Sequence, residues 1–206
     1  TSFVLFLQNH DQTGNRAFGE RLSTLAEPDA LRAATAVLLL SPMIPLLFMG
    51  EEWGSRQPFL FFTSHHGELA DAVREGRRNE FAEFAEFADE ATRERIPDPN
   101  AVATFEDSRP DFDARHQPEH AEWHALYRQL LRIRHAEIVP RLAGSQFLDA
   151  RVLADAAVLV NWRLADGSRL RLELNLGEQP APLPASSATA ELLFASRETV
   201  GDTHDQ

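Results

Sequence analysis

The chain has 206 residues, of which 32 are Asp or Glu and 20 are Arg, with no Lys and no Cys, giving a formal net charge of −12. The lack of Cys excludes disulfides, thiolate metal sites and thiol catalysis, and the acidic balance argues against a protein that grips a phosphate backbone. A hydrophobic fraction of 43% with 25% charged residues is that of a globular protein able to bury a core in one or two domains.

The first residues, Thr1-Ser2-Phe3-Val4-Leu5-Phe6-Leu7, form an apolar run with no Met and no lead-in. It is too short for a signal sequence or a membrane span, and no later run approaches the roughly 18 apolar residues of a spanning helix. Residues 2–8 read as a strand of the buried parallel kind, ending in the polar cluster Asn9-His10-Asp11-Gln12 and a glycine-containing loop. Pro28-Asp29 opens a helix over Ala30 to Leu40, and Ser41-Pro42 stops it. Ile44 to Met49 repeats the buried-strand pattern and ends in Gly50-Glu51-Glu52-Trp53-Gly54. Strand, loop, helix, strand, loop is a βαβ unit, which implies a parallel sheet.

Pro58 to Phe62 reads as a short extended segment. Glu68 to Arg95 reads as helix, broken near Gly76, with Phe81, Phe84 and Phe87 on one packing face. Pro97, Pro99 and Pro110 mark loop as far as residue 117. Pro118 to His135 is the clearest helix, with Trp123, Leu126, Tyr127, Leu130 and Leu131 as its apolar stripe. After Gly144 the pattern changes. Ala157 to Trp162 reads as a strand, Asp166-Gly167 as a hairpin turn, and Leu170, Leu172, Leu174 and Leu176 alternate with polar residues in the return strand. Glu191 to Ala195 is expected as a last strand, with residues 197–206 irregular. A boundary at 143 divides an α/β part from a small antiparallel all-β domain, 144–206.

In parallel α/β architectures function gathers at the carboxyl ends of strands. The clusters Asn9-His10-Asp11-Gln12 and Glu51-Glu52-Trp53 both lie there and are expected to share a face. Carboxylates that bind hydroxyls, with an aromatic ring for stacking, suit a sugar pocket; on position alone, an ordinary polar turn at Asp11 and a helix-start charge at Glu51 fit equally. His116, His120 and His124 have the spacing of metal ligands on a helix. Pro118 interrupts them and no carboxylate completes the set, so they read as exposed polar residues and no metal is assigned. His65-His66 receives no role. There is neither a nucleophile elbow nor a glycine-rich phosphate loop. The Arg-only usage reads as a compositional habit of the source.

Phe6-Leu7-Gln8-Asn9-His10-Asp11 at a strand end resembles the fourth conserved region of the alpha-amylase family of retaining glycoside hydrolases. The longer run Gln8 to Ala17 with Gly19-Glu20-Arg21-Leu22, the run Leu47 to Gly54, and Gly67 to Leu69 with Arg74 to Arg78 resemble the malto-oligosyltrehalose trehalohydrolases within it. The resemblance covers essentially the whole chain. It implies that residues 2–8 and 44–49 are the seventh and eighth strands of a (β/α)8 barrel, that 118–136 is the last barrel helix, and that a β-sandwich domain follows. It also implies that Asp11 stabilises the transition state, that His10 binds the adjoining sugar, and that Gln12, Arg16, Glu51, Glu52 and Trp53 shape the cleft. The implied substrates are maltooligosyl trehalose and maltooligosaccharides, with trehalose released in a cytoplasmic enzyme without metal or organic cofactor. A retaining mechanism needs two carboxyls about 5 Å apart. By resemblance, the nucleophile and general acid sit on the fourth and fifth strands, and no residue here matches them. The chain is therefore expected to be the C-terminal portion of a longer enzyme, with the N-terminal part as partner, and to be inactive alone. A branching enzyme of the same family and a non-catalytic carbohydrate-binding or structural module are the rival readings.

Overall fold

A computed structural model describes residues 3–184 and 189–197. In chain order the elements are β1 (Val4–Leu5), α1 (His10–Gly14), α2 (Leu22–Leu25), α3 (Pro28–Leu40), β2 (Ile44–Pro45), α4 (Glu68–Glu80), α5 (Glu90–Glu94), α6 (Val102–Asp107), α7 (Pro118–Ile133), β3 (Gln146–Ala154), β4 (Ala157–Arg163) and β5 (Arg169–Asn175). They form two compact units. One contains residues 1–7, 27–46 and 125–206, and the other residues 8–26 and 47–124.

In the first unit β1 and β2 pair in parallel, Val4 opposite Ile44 and Leu5 opposite Pro45, with α3 in the intervening chain. The expected βαβ order is present, but the strands are two residues long and Phe3, Val4, Phe6, Ile44 and Leu46 are exposed, contrary to a strand covered on both faces. Pro45 has no N–H to extend the ladder, and the chain turns away before Gly50. Helix α3 starts with Pro28 in its first turn and Asp29 beside the helix's positive end. It ends at Ser41 because the next residue is Pro42.

Three main-chain carbonyls at that end are taken by one side chain. Arg134 lies in a π turn, Arg134–Ile138, that continues α7. It donates from Nη1 to Leu39 O (2.9 Å) and Ser41 O (2.7 Å), and from Nη2 to Met43 O (2.6 Å). Burial draws its pKa down from the ordinary arginine value. Leu38, Leu39, Leu126, Tyr127, Leu130 and Ile138 are buried apolar residues of this unit.

The C-terminal part of this unit is a three-stranded antiparallel sheet in the order β3-β4-β5. The β4–β5 hairpin closes through Asp166, whose Oδ1 accepts the Ser168 N–H at 2.9 Å, and Gly167 at φ +85°. Leu159 and Trp162 on the central strand are buried. Strand β3 was not expected, and Glu191–Ala195 forms no strand. Among the described residues the region is one sheet, not a sandwich; Pro180, Pro182 and Pro184, which follow β5, offer no ladder donors. All but one of the residues expected to be irregular at 197–206 lie outside the described residues.

In the second unit α4 runs through Gly76 without a break and stops at Phe81, short of the expected Arg95. Phe81, Phe84 and Phe87 do not share a helix. They lie in turns that bring Phe81 and Phe87 to 5.3 Å and Phe18 and Phe87 to 5.9 Å, around a core of Ala17, Phe81 and Ile96. Asp89 then restarts a helix, its Oδ1 accepting the Thr92 N–H at 2.8 Å. The expected loop up to residue 117 contains α6. Extended Pro58 to Phe62 forms no ladder.

Replacing Arg134 with Met leaves the α3-end carbonyls buried without donors. It is expected to destabilise the folded protein by about 3 kcal/mol, with Lys in its place recovering little because one ammonium cannot span three carbonyls. An unchanged denaturant midpoint for Arg134→Met would contradict this.

Candidate active site

Both loops expected to carry chemistry belong to the second unit. Gln8, shortly after β1, is buried, and Asn9 caps α1 from an extended backbone, its Oδ1 accepting the Gln12 N–H at 2.8 Å. The cap lifts His10 and Asp11 into solvent, with 70% and 73% of their side chains exposed and His10 Nε2 3.5 Å from Asp11 Oδ1. Gln12 and Arg16 are exposed as well, Arg16 Nε lying 3.9 Å from Glu20 Oε2.

The second loop is a 3-10 turn, Glu51–Trp53, held between two left-handed glycines, Gly50 (φ +93°) and Gly54 (φ +63°). Glu52 Oε2 accepts the Gly50 N–H at 2.9 Å. Glu51 and Trp53 point inward and are only 6% and 2% exposed. The Trp53 ring meets Phe112 at 5.4 Å, and the Trp53 carbonyl accepts from His120 Nδ1 at 2.8 Å. His120 is therefore buried, in contrast to the exposed position expected from the His116, His120, His124 spacing. Among the described residues no three His, Asp or Glu side chains gather as a metal site. Trp123 lies against Gly54 so closely that a Cβ there would come within 2.7 Å of its ring.

The two loops meet at Gln8. Its Nε2 donates to Glu51 Oε2 (3.3 Å), and its Oε1 accepts the Leu22 N–H (3.2 Å). Beneath them lies Arg21, fully buried, donating from Nε to Gln57 O (2.5 Å) and from Nη1 to Met49 O (2.8 Å), with its guanidinium 4.8 Å from the centre of the Phe48 ring. Burial draws the Arg21 pKa down from its ordinary value, while the charges of Glu51 and then Glu52 act in the opposite direction. A buried guanidinium beside a buried carboxylate compensates part of the cost of desolvating both.

The structure thus places the expected residues in two sets. His10, Asp11, Gln12 and Arg16 stand together at the surface on one short stretch; Glu51 and Trp53 lie inside, with Glu52 half-buried beside them. The exposed set can accept and donate hydrogen bonds to vicinal hydroxyls and can present a negative charge to a cationic centre. Sequence reasoning missed Gln8, Arg21, His120 and Trp123. Gln8 showed itself only by ending an apolar strand, and Arg21, between Glu20 and Leu22, has no local sign of burial.

Residues 145–205 match a family described as a domain of unknown function, DUF3459. A solved structure described as a putative alpha amylase from Salmonella typhimurium superposes with a TM-score of 0.81 at 45% identity, covering 94% of this chain and 32% of that one. By fold and sequence the chain is a relative of the alpha-amylase family of glycoside hydrolases. More particularly, it is a relative of the malto-oligosyltrehalose trehalohydrolases. It is 48% identical to the one from Deinococcus radiodurans over 143 residues (67% of this chain, 22% of that protein). It is 36% identical to one from Mycobacterium tuberculosis over 196 residues (95% and 32%), and 37% identical to one from a Rhizobium species over 202 residues (97% and 32%). The chain spans about a third or less of the length of these relatives. The resemblance read in the sequence is borne out.

The Asp11 loop is tied down at its far end by Gly19 (φ +61°), whose carbonyl accepts the Phe59 N–H at 2.9 Å and whose missing side chain lets the two backbones cross. A Cβ there would overlap the Phe59 carbonyl and come within 2.9 Å of Leu60 N. Gly19→Ala is expected to cost about 3 kcal/mol of stability, measured by denaturant unfolding, and a loss below about 1 kcal/mol would contradict the crossing described.

Proposed function

We propose that the protein bearing this chain is a retaining glycoside hydrolase that cleaves the α-1,4 bond next to the terminal trehalose unit of maltooligosyl trehalose. It releases trehalose and a shortened maltooligosaccharide, a step of trehalose biosynthesis. The observation that carries this is the exposed pair His10 and Asp11, on a capped turn soon after a strand that pairs in parallel with β2, in a chain whose relatives bear that name.

In this reading β1 and β2 are the seventh and eighth strands of a (β/α)8 barrel and α7 is its last helix. The exposed Phe3, Val4, Phe6, Ile44 and Leu46 support it, since a two-stranded parallel pair leaves such residues for further strands and helices to cover. The barrel portion ends at 143 and a β domain occupies 144–206, in keeping with the family match that starts at 145. No helix among the described residues is long and apolar enough to cross a membrane, and a cytoplasmic location accords with a chain free of Cys.

The mechanism follows from charge. As the glycosidic bond lengthens, positive charge develops on the sugar's ring oxygen and anomeric carbon. The Asp11 carboxylate stabilises that charge at a site where water is displaced by substrate. His10 binds a hydroxyl of the same sugar, with Gln12 and Arg16 along the cleft. Glu51, Glu52 and Trp53 shape the cleft from behind by fixing the loop. The carboxylate that attacks the anomeric carbon and the acid that protonates the leaving oxygen come from the remainder of the protein. Water then hydrolyses the glycosyl intermediate, with that acid acting as base. No metal or organic cofactor is required by this chemistry.

In the full-length protein Asp11→Ala is expected to lower kcat by about 10³-fold or more, about 4 kcal/mol of transition-state stabilisation, with the circular dichroism spectrum unchanged. Near-normal turnover of that variant would overturn the assignment of Asp11. New α-1,6 branches in place of free trehalose would assign the protein to the branching enzymes instead.

A further inference from the structure

We infer that Arg77 is the positioning residue for Asp11, an assignment that rests on the reading of Asp11 just proposed. The reason begins with what Asp11 lacks. It and His10 are exposed, so no surrounding core fixes their place. Their position is that of the backbone of α1, five residues long, and a helix of that length does not hold itself in water.

Its start is secured by the Asn9 cap. At its other end the carbonyls lack intrahelical partners, as at the end of every helix. Backbone N–H groups of Asn15 and Arg16 reach Asp11 O and Thr13 O, and Arg77 supplies the donor for Gly14 O, the last carbonyl of the helix, and for Arg16 O just beyond it. Arg77 Nη2 donates to Gly14 O at 2.7 Å and to Arg16 O at 2.9 Å, across more than sixty residues of sequence. A positive charge at this end also complements the helix dipole.

The guanidinium is itself immobilised. Nη1 donates to Glu80 Oε2 at 2.9 Å, one helical turn further along α4. Its Cζ lies 5.1 Å from the centre of the Phe61 ring and 4.8 Å from that of Phe81, and the side chain is buried. Planarity, a rigid fork of donors spread over three nitrogens and weak hydration are properties of arginine that lysine lacks. The long segment after β2, which carries α4 and the phenylalanine cluster, thereby delivers one fixed fork of donors to the turn that bears the carboxylate.

A group that works through Asp11 affects kcat rather than KM, because a displaced carboxylate loses the transition state before it loses the substrate. The test uses the full-length protein and maltooligosyl trehalose, with rates per folded molecule, the folded fraction being read by circular dichroism. Arg77→Ala is expected to lower kcat about 100-fold with KM changed less than about threefold. Arg77→Lys is expected to remain at least about tenfold down. In an Asp11→Asn background, the further change to Ala at 77 is expected to cost less than about threefold, since nothing is left to position.

A kcat for Arg77→Ala within about twofold of the parent overturns the proposal, and so does a full repeat of its loss in the Asp11→Asn background, which marks a merely structural role. If instead Asp11→Asn itself turns over normally, it is the reading of Asp11 that fails. Should Arg77→Ala not fold, Arg77→Gln, which keeps one amide donor, is measured in the same cycle with the same order of effects.

Discussion

Arginine buried against main-chain carbonyls is the interaction on which this structure depends. Arg21 joins the carbonyls of Met49 and Gln57, Arg77 those of Gly14 and Arg16, and Arg134 those of Leu39, Ser41 and Met43. The sets of Arg77 and Arg134 lie where α1 and α3 stop and carbonyls lose their partners, and that of Arg21 flanks the Glu51–Trp53 turn on its two sides. A long planar cation with donors on three nitrogens reaches several of them at once, and the aromatic rings beside Arg21 and Arg77 lower the cost of taking the charge out of water. The absence of Lys is therefore more than a habit of composition at these three positions, where a compact ammonium could not make the same set of bonds.

Buried hydrogen bonding also separates the candidate site into an outward and an inward part. The turn after β2 has polar and aromatic side chains inside, where Glu51 meets Gln8 and the Trp53 carbonyl meets His120. The turn after β1 has His10, Asp11 and Gln12 outside. In the function proposed above, the first is the support and the second the working surface. Paired left-handed glycines at 50 and 54 allow the support to be only three residues long.

Much of the fold was legible because its signals are local. Pro28 and Pro42 bound α3, the apolar stripe at 3.6 spacing marks α7, and Asp166-Gly167 marks the β4–β5 hairpin. Where the deciding interaction is distant, the sequence was silent or misleading. Phe81, Phe84 and Phe87 have a helical period, yet they turn back toward Phe18 and end α4 early. Strand β3 carries exposed Phe147 and Val152, so its pattern shows no buried face; its pairing with β4 defines it. In the site, His10 and Asp11 could be picked out because they follow an apolar strand. Arg77 could not, since an arginine beside Arg78 on a charge-rich helix reads as a solvated face until Phe61 and Phe81 are seen around it.

The division of the chain into units also orders its folding in time. The second unit is assembled from residues 8–26 and 47–124, so every segment it needs has been synthesised once His124 is made. The first unit needs residues 125–206 to meet segments laid down long before, and Arg134 must reach back 95 residues to the end of α3. Closing so long a loop carries an entropic cost that later contacts must repay. On the ribosome the unit holding the Asp11 turn is thus ready to form first, while the first unit waits for the later half of α7 and the β3–β5 sheet. That interval is when the nascent protein is most open to wrong association.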